Sequence, residues 1–177
     1  MMDCMEIRIE KASEEDRPRI FELLEQANMH RIPSPEMPAI TYENVFVARM
    51  QREVVGFSGY KILSSAEAKT ELMVVDKHYR GRGVGYLLQQ RRMEEMRRKG
   101  VRMLTANADL PMTIAWYKSH FGYRAVGKLR KLCEFGDPNI DHWTTLEVDL
   151  VAWEMAGQAH GDKKRDERTT AVWRRGG

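Results

Sequence analysis

Cysteine is scarce in this chain. Of 177 residues only Cys4 and Cys133 are cysteines, and their spacing offers neither a disulfide framework nor a metal-ligand cluster. A reduced, cytoplasmic setting without a metal is therefore expected. Long apolar runs are missing too. Nothing approaches the ~20 residues that a membrane-spanning helix needs, and no signal-peptide pattern is visible. No H-E-x-x-H motif is present, and Gly56-Phe57-Ser58-Gly59 narrowly misses the G-x-S-x-G of a nucleophile elbow. No internal repeat is visible. A strong charge of one sign is also absent. The 29 Lys and Arg against 26 Asp and Glu leave a formal net charge of +3, which suits a polyanionic small ligand as well as a nucleic acid. The aromatics do not form a base-stacking pattern, so no nucleic-acid partner is expected, and no membrane partner either.

What is present is a glycine-rich turn, Arg80-Gly81-Arg82-Gly83-Val84-Gly85, between an apolar run, Leu72-Met73-Val74-Val75, and a helix-forming stretch, Tyr86 to Lys99. Strand, glycine turn and helix start form a phosphate cradle. Glycine admits positive φ and close backbone approach. The first helical turn leaves N–H groups unpaired at the positive end of the helix dipole. Arg80 and Arg82 add charged, fork-shaped donors. The spacing is not that of a P-loop, because Leu87 stands at the lysine position. Nor is it that of a dinucleotide fingerprint, whose third glycine would fall one place later. A tight strand–helix connection without a ligand is the plain alternative.

The run Val75 to Gly85 resembles the acetyl-CoA loop of the GNAT superfamily of N-acetyltransferases. Arg80, Gly83 and Gly85 match that family's order: Gln or Arg, Gly three places on, then Gly or Ala two further. A second run, Trp116-Tyr117-Lys118-Ser119-His120-Phe121-Gly122-Tyr123, is similar to the family's tyrosine-bearing helix ahead of a Gly-aromatic strand entry. Four residues separate Tyr117 from Gly122 where three are more usual, and Leu110 stands where the family often has asparagine. The likeness covers roughly residues 5–150 in element order. It implies an α/β fold with a mixed, mostly antiparallel sheet of about six or seven strands, a parallel and splayed β4–β5 pair, and flanking helices.

The pattern along the chain agrees with that order. Met5 to Ile9, Asn44 to Met50, Val54 to Leu63, Thr70 to Val75, Val101 to Ala106, Tyr123 to Phe135 and His142 to Leu150 read as strands. A helix follows a Ser13–Asp16 capping box and ends near His30. Gly56 and Gly59 inside a strand suggest a bulge or a close backbone approach. The helix after the glycine turn has a thin apolar side of Val84, Leu87, Leu88 and Met96. Arg91 or Arg92 falls on that side and is expected to bury its stem. The remaining charges of residues 91–99 read as a solvated face. Pro111 opens a short helix to about Ser119. A single domain over residues 1–152 and a charged segment over 153–177, a tail or a loosely docked helix, are expected.

The resemblance implies acetyl-CoA as cosubstrate and an N-acetyltransferase as the enzyme. It assigns the pyrophosphate to the backbone of Arg80, Gly81, Arg82, Gly83, Val84 and Gly85, and the pantetheine arm to the backbone of Met73, Val74 and Val75. Asn107 or Asp109 is a candidate replacement for the missing asparagine. Tyr117 would protonate the leaving thiolate. Glu71, an acid on an otherwise apolar strand, would be the general base; a glutamate on the strand's wet face is the alternative. Arg31, Tyr42 and His142 are expected to face the acceptor, and a small amine or amino acid is expected over a protein lysine. A protein or N-terminal acetyltransferase, a non-catalytic acyl-CoA sensor and a homodimeric assembly stay open.

Overall fold

In the computed structural model, which describes residues 6–30, 32–37 and 39–158, seven strands form: β1 (Ile7–Lys11), β2 (Val45–Met50), β3 (Glu53–Ile62), β4 (Glu67–Val75), β5 (Met103–Ala108), β6 (Arg124–Arg130) and β7 (His142–Asp149). They make one sheet in the order β1-β2-β3-β4-β5-β7-β6. Only β4 and β5 run parallel; every other neighbouring pair is antiparallel. The mixed sheet with one parallel pair is the expected one. Its crossover is the α/β unit that a parallel connection requires.

The helices α1 (Arg17–Gln26), α2 (Val84–Arg98) and α3 (Pro111–Phe121) cover the sheet. Strand alternation sends side chains to opposite faces. On one face Val45, Val47, Val54, Phe57 and Val74 bury against Ile20, Leu23 and Leu24 of α1. On the other, Phe46, Val55, Leu104 and Leu146 pack with Val84, Leu88, Met93 and Met96 of α2 and with Tyr117 and Phe121 of α3. The capping box is present: Asp16 accepts the Ser13 N–H at 3.0 Å, and its other oxygen takes Arg49 at 2.6 Å.

The sequence expectations depart from this fold in three places. The strand expected to run from Tyr123 to Phe135 stops at Arg130. The chain then wraps around the buried Lys131 ammonium, which donates to Asp109 Oδ2 at 2.9 Å, Phe135 O at 2.8 Å and Asp137 O at 3.0 Å. Residues 150–158 are helical, Trp153 packs on the core, and Arg97 pairs with Glu154 at 2.7 Å. The expected boundary between residues 152 and 153 falls inside this helix, and residues 159–177 lie outside the described ones. Finally, residues 91–99 are not simply a solvated face. Glu95 is buried and takes Arg98 at 2.6 Å, with Arg91, Lys11 and Lys99 within 3.8 Å. Arg92 is buried entirely, 1% exposed, not by its stem alone.

Gly56 explains how closely α2 lies on the sheet. A Cβ there would stand 3.0 Å from Val74 O, 3.2 Å from Leu88 Cδ1 and 3.3 Å from Val84 Cγ1. The close approach read from the sequence is thus real, and it fixes the start of α2 against β3. Gly56→Val should overpack this contact and cost about 1–3 kcal/mol. For a chain of this size that lowers the melting temperature by roughly 2–12 °C. A thermal scan showing no loss would refute the packing argument.

Candidate active site

The end of β4 and the start of α2 are joined by the arginine–glycine turn. Gly81 and Gly83 both adopt positive φ, 75° and 83°, and Gly83 is the N-cap of α2. Successive turns of this kind point backbone N–H groups into one concavity. The first helical bond runs from Leu87 N to Gly83 O at 3.1 Å, so the N–H groups of the first turn have no intrahelical acceptor. A Cβ on Gly83 would meet nothing within 4 Å, so the space beside the turn is open. Arg80 is steadied by its Nε donating to Val75 O at 3.2 Å, and the Arg82 guanidinium lies 5.3 Å from the centre of the Tyr79 ring. Open space, aimed N–H groups and two exposed arginines fit a pyrophosphate.

Asp76 anchors the turn to the rest of the fold. Its buried carboxylate accepts from Arg19 at 2.5 Å, Gln26 at 3.3 Å and the His78 N–H at 2.8 Å. Burial alone would push this carboxyl up; the hydrogen bonds from His78, Arg19 and Gln26 and the Arg19 charge outweigh burial and hold it below the ordinary value.

Next to the turn, β4 and β5 part. Only Glu67, Ala68 and Lys69 pair with β5, opposite Met103, Leu104 and Thr105, although both strands continue beyond. Asp76 N donates to Val55 O at 2.8 Å. Alternation along the antiparallel ladder then turns the backbone groups of Met73 and Val75 toward β5 and those of Val74 toward β3. Met73 and the Val75 N–H therefore face the gap as edge groups, with Val75 O taken by Arg80, while Val74 contributes its side chain to the α1 face.

The gap opens at a bulge. Gly59 pairs with Glu71 and Ser58 with Met73, leaving Leu72 as the extra residue, with φ of 38°. The bulge shifts the alternation by one. Thr70 pairs with Tyr60 of the α2 face, so Glu71 turns to the α1 face, where Leu72 also packs.

Beneath the bulge sits the buried guanidinium of Arg92. Nη1 donates to the carbonyls of Gly59 at 2.9 Å, Glu71 at 3.1 Å and Leu72 at 3.3 Å. Nη2 reaches Tyr117 Oη at 3.3 Å, Met73 Sδ at 3.6 Å and Gln89 Oε1, and Nε also meets Gln89 Oε1 at 3.1 Å. Tyr117 is 6% exposed, and its ring packs edge-on to Trp116 and Tyr123 at 5.1 Å between centroids. Tyr123 is buried and accepts from Gln89 Nε2 at 2.9 Å; burial pushes its phenol well above the usual value.

On the α1 face, Asn28 and Glu36 dock on the loop after β6. Asn28 Nδ2 donates to Glu134 O at 2.8 Å and Gly136 O at 3.1 Å. Glu36 accepts the N–H groups of Leu132 at 3.2 Å and Cys133 at 3.0 Å, and also Trp143 Nε1. Tyr42 packs here with Leu72, Met29 and Ile32 around the α1 cluster. His142 does not join it. His142 lines a cavity of about 470 Å³ with Asp109, Ile114, Lys118 and Thr144, on the α3 side of β7, and meets Asp141 at 3.1 Å. Arg31 lies outside the described residues. Asn107 Oδ1 accepts from Thr145 at 2.9 Å.

The family described as acetyltransferase (GNAT) domain matches residues 41–125, which hold the bulge, the turn, Arg92 and Tyr117. This chain carries a GNAT acetyltransferase domain. Solved structures agree on the fold. The ribosomal-protein-S18-alanine N-acetyltransferase from Escherichia coli is 17% identical, with a TM-score of 0.66 over 82% of this chain and 94% of its own. YncA from Salmonella typhimurium, solved with its cofactor acetyl-CoA, is 17% identical, with a TM-score of 0.63 over 82% and 94%. N-acetylglutamate synthase from Neisseria gonorrhoeae, complexed with coenzyme A and N-acetyl-glutamate, is 16% identical, with a TM-score of 0.66 over 82% of this chain and 35% of its own. No curated protein is similar enough in sequence to count as a match. Among the described residues no helix is long and apolar enough to cross a membrane.

Sequence reasoning missed Arg92 and Gln89 within the GNAT domain and Glu36 ahead of it. Arg92 had a signal: it stands on the row Val84, Leu88, Met96 at four-residue steps. Gln89 and Glu36 had none, because each is explained only by a partner distant in the chain.

The loop geometry gives two expectations. Gly83→Val must force a branched residue into the left-handed region, which costs roughly 1–2 kcal/mol, and it fills the open space beside the turn. Calorimetry should show CoA binding weakened about tenfold or more; unchanged affinity in a folded variant would refute the turn as the binding element. Asp76 titrates below its unfolded value, so its contribution to stability is complete above that value and is lost as pH falls through the folded one. Thermal unfolding followed from pH 7 down to about 3 should show a steeper loss for the native protein than for Asp76→Asn. Equal slopes would remove Asp76 from the acid response.

Proposed function

We propose that this GNAT acetyltransferase moves an acetyl group from acetyl-CoA directly to the primary amine of a small molecule, an amino acid or small amine, in a ternary complex. The observation that carries this reading is the parting of β4 from β5 after the Lys69–Thr105 pair, between the glycine turn and Tyr117. The first-turn N–H groups and the arginines bind the pyrophosphate. The Met73 and Val75 edge groups hold the pantetheine arm as a surrogate strand would. When bound, the cosubstrate supplies an activated acetyl thioester.

The chain's own residues have three tasks. They hold the thioester at the mouth of the gap. They accept a proton from the amine, whose ordinary value near 10.4 leaves it charged at neutral pH. They return a proton to the departing sulfur. Glu71, on the α1 face beside the bulge, suits the second task, directly or through water. Tyr117, buried on the opposite face, suits the third. The acceptor then approaches from the α1 face, near Tyr42. His142, on the α3 side of β7, has no part in this proposal.

A small acceptor is favoured by the docking of Asn28 and Glu36 onto residues 132–143. The bonds of Asn28 and Glu36 tie these segments across the acceptor side, where an extended polypeptide would need an open groove. No acyl-enzyme is invoked, since Cys133 belongs to the loop latched by Glu36.

A panel of amino acids and small amines with acetyl-CoA, read by thiol release, tests the proposal, with lysine peptides and free N-terminal peptides as the competing arm. Turnover of peptides alone would overturn the small-acceptor reading. Tyr117→Phe keeps the ring and removes the proton donor. Its kcat should fall by about 10²- to 10⁴-fold while CoA affinity stays unchanged; full activity would return the sulfur's proton to water.

A further inference from the structure

Arg92 is a cation sealed inside the protein, and among the described residues none of its partners is a carboxylate. They are three backbone carbonyls, one amide oxygen, one thioether and one phenol. Burying an ion costs several kcal/mol even when it is paired. Leucine or methionine on the Val84, Leu88, Met96 row would avoid that cost but leave the carbonyls of Gly59, Glu71 and Leu72 without this donor. The nearby carboxylate on α2, Glu95, is engaged instead by Lys11, Arg91, Arg98 and Lys99. The Arg92 charge is thus left uncompensated beneath the bulge, one hydrogen bond from Tyr117.

We propose that Arg92 is a positioning residue for proton delivery: its guanidinium occupies a lone pair of Tyr117 Oη, so that the phenol O–H points away from it into the β4–β5 gap, and it stabilises the phenolate left when that proton departs. This rests on the reading of Tyr117 as the acid.

The geometry carries the argument. Guanidinium N–H groups only donate, so at the 3.3 Å contact Tyr117 Oη is the acceptor. The phenol's single proton cannot lie on that line. The same guanidinium clamps the carbonyls of Glu71 and Leu72, holding the bulge that turns Glu71 to the opposite face. The proton-accepting and proton-donating sides of the gap are therefore set by one rigid group. In the transfer step the thioester C–S bond breaks and its electron pair stays on sulfur. The amine nitrogen forms the new C–N bond, and its released proton passes to Glu71 or water. Sulfur takes the Tyr117 proton to become a thiol. The phenolate faces the Arg92 cation until solvent returns the proton that the amine released. No charge or proton is left over.

The test is a double-mutant cycle between position 92 and Tyr117→Phe, with kcat and CoA affinity measured separately. Arg92→Gln keeps a donor and removes the charge; Arg92→Lys keeps the charge and serves as a second variant should the first not fold. In an otherwise native chain Arg92→Gln should lower kcat by about 10- to 100-fold and leave CoA affinity within about twofold. Arg92→Lys should recover part of that loss. In the Tyr117→Phe background either change should cost clearly less than in the native chain, because the phenol it acts through is gone and only its hold on the bulge remains. Losses that multiply in the double variant would overturn the proposal and leave Arg92 a support of the bulge, with Tyr117 still the acid. Full activity of Tyr117→Phe alone would remove the acid reading itself, and this role of Arg92 with it. An unchanged kcat in both Arg92 variants would overturn the proposal while leaving the Tyr117 assignment standing.

Discussion

A guanidinium buried under an interrupted strand is the constraint on which the rest of this domain turns. Leu72 holds a left-handed backbone conformation that leucine disfavours by about 1–2 kcal/mol. It persists because Arg92 draws the carbonyls of Gly59, Glu71 and Leu72 onto one planar group. Charge-assisted hydrogen bonds of this kind contribute about 1.5–3 kcal/mol each, enough together to offset the strain and part of the desolvation of the cation. Removing Arg92 would leave three buried carbonyls short of a donor, so strain and charge have to be kept or lost together.

The bulge has geometric consequences on both faces. It changes the alternation of β4, which puts Glu71 and Leu72 on the α1 face and returns Met73 to the α2 face. It also begins where β4 leaves β5, so the edge groups of Met73 and Val75 look into a gap rather than at a neighbouring strand. The glycine turn lies at the far end of this edge, and Asp76 ties it to α1 through Arg19 and Gln26. Gly56 lets α2 rest on β3 close enough for Arg92, two turns along the same helix from Val84, to reach under the bulge.

Pairing separates the two buried charges of α2 by role. Glu95 is surrounded by four cations at the helix's C-terminal half, where an anion would otherwise oppose the helix dipole. Arg92, one turn earlier, has no anion and faces the site. The same contrast appears between Lys131, which is enclosed by Asp109 and two loop carbonyls, and Arg80 and Arg82, which are exposed beside the open turn. Paired charges here organise loops and helix ends, whereas Arg80, Arg82 and Arg92 have no carboxylate partner among the described residues and lie along the proposed cosubstrate path.

Features that depend on neighbours in the chain were readable in advance. The arginine–glycine turn, the strand–helix–strand crossover with its single parallel pair, the capping box and the close approach at Gly56 follow from spacing and residue type, because backbone conformation and periodicity are local properties. The helix carrying Tyr117 was legible for the same reason. What only the tertiary structure decided rests on contacts between residues far apart in sequence. Glu36 reaches the loop 96 and 97 residues away, His142 is turned to the α3 side while Trp143 is latched to Glu36, and β6 ends early because Lys131 finds Asp109. Arg92 marks the boundary between the two. Its place on an apolar helical row was visible, but a long basic side chain on such a row ordinarily keeps its head in water. Only the bulge of a strand about 20 residues earlier, with its carbonyls turned inward, makes full burial of the charge favourable.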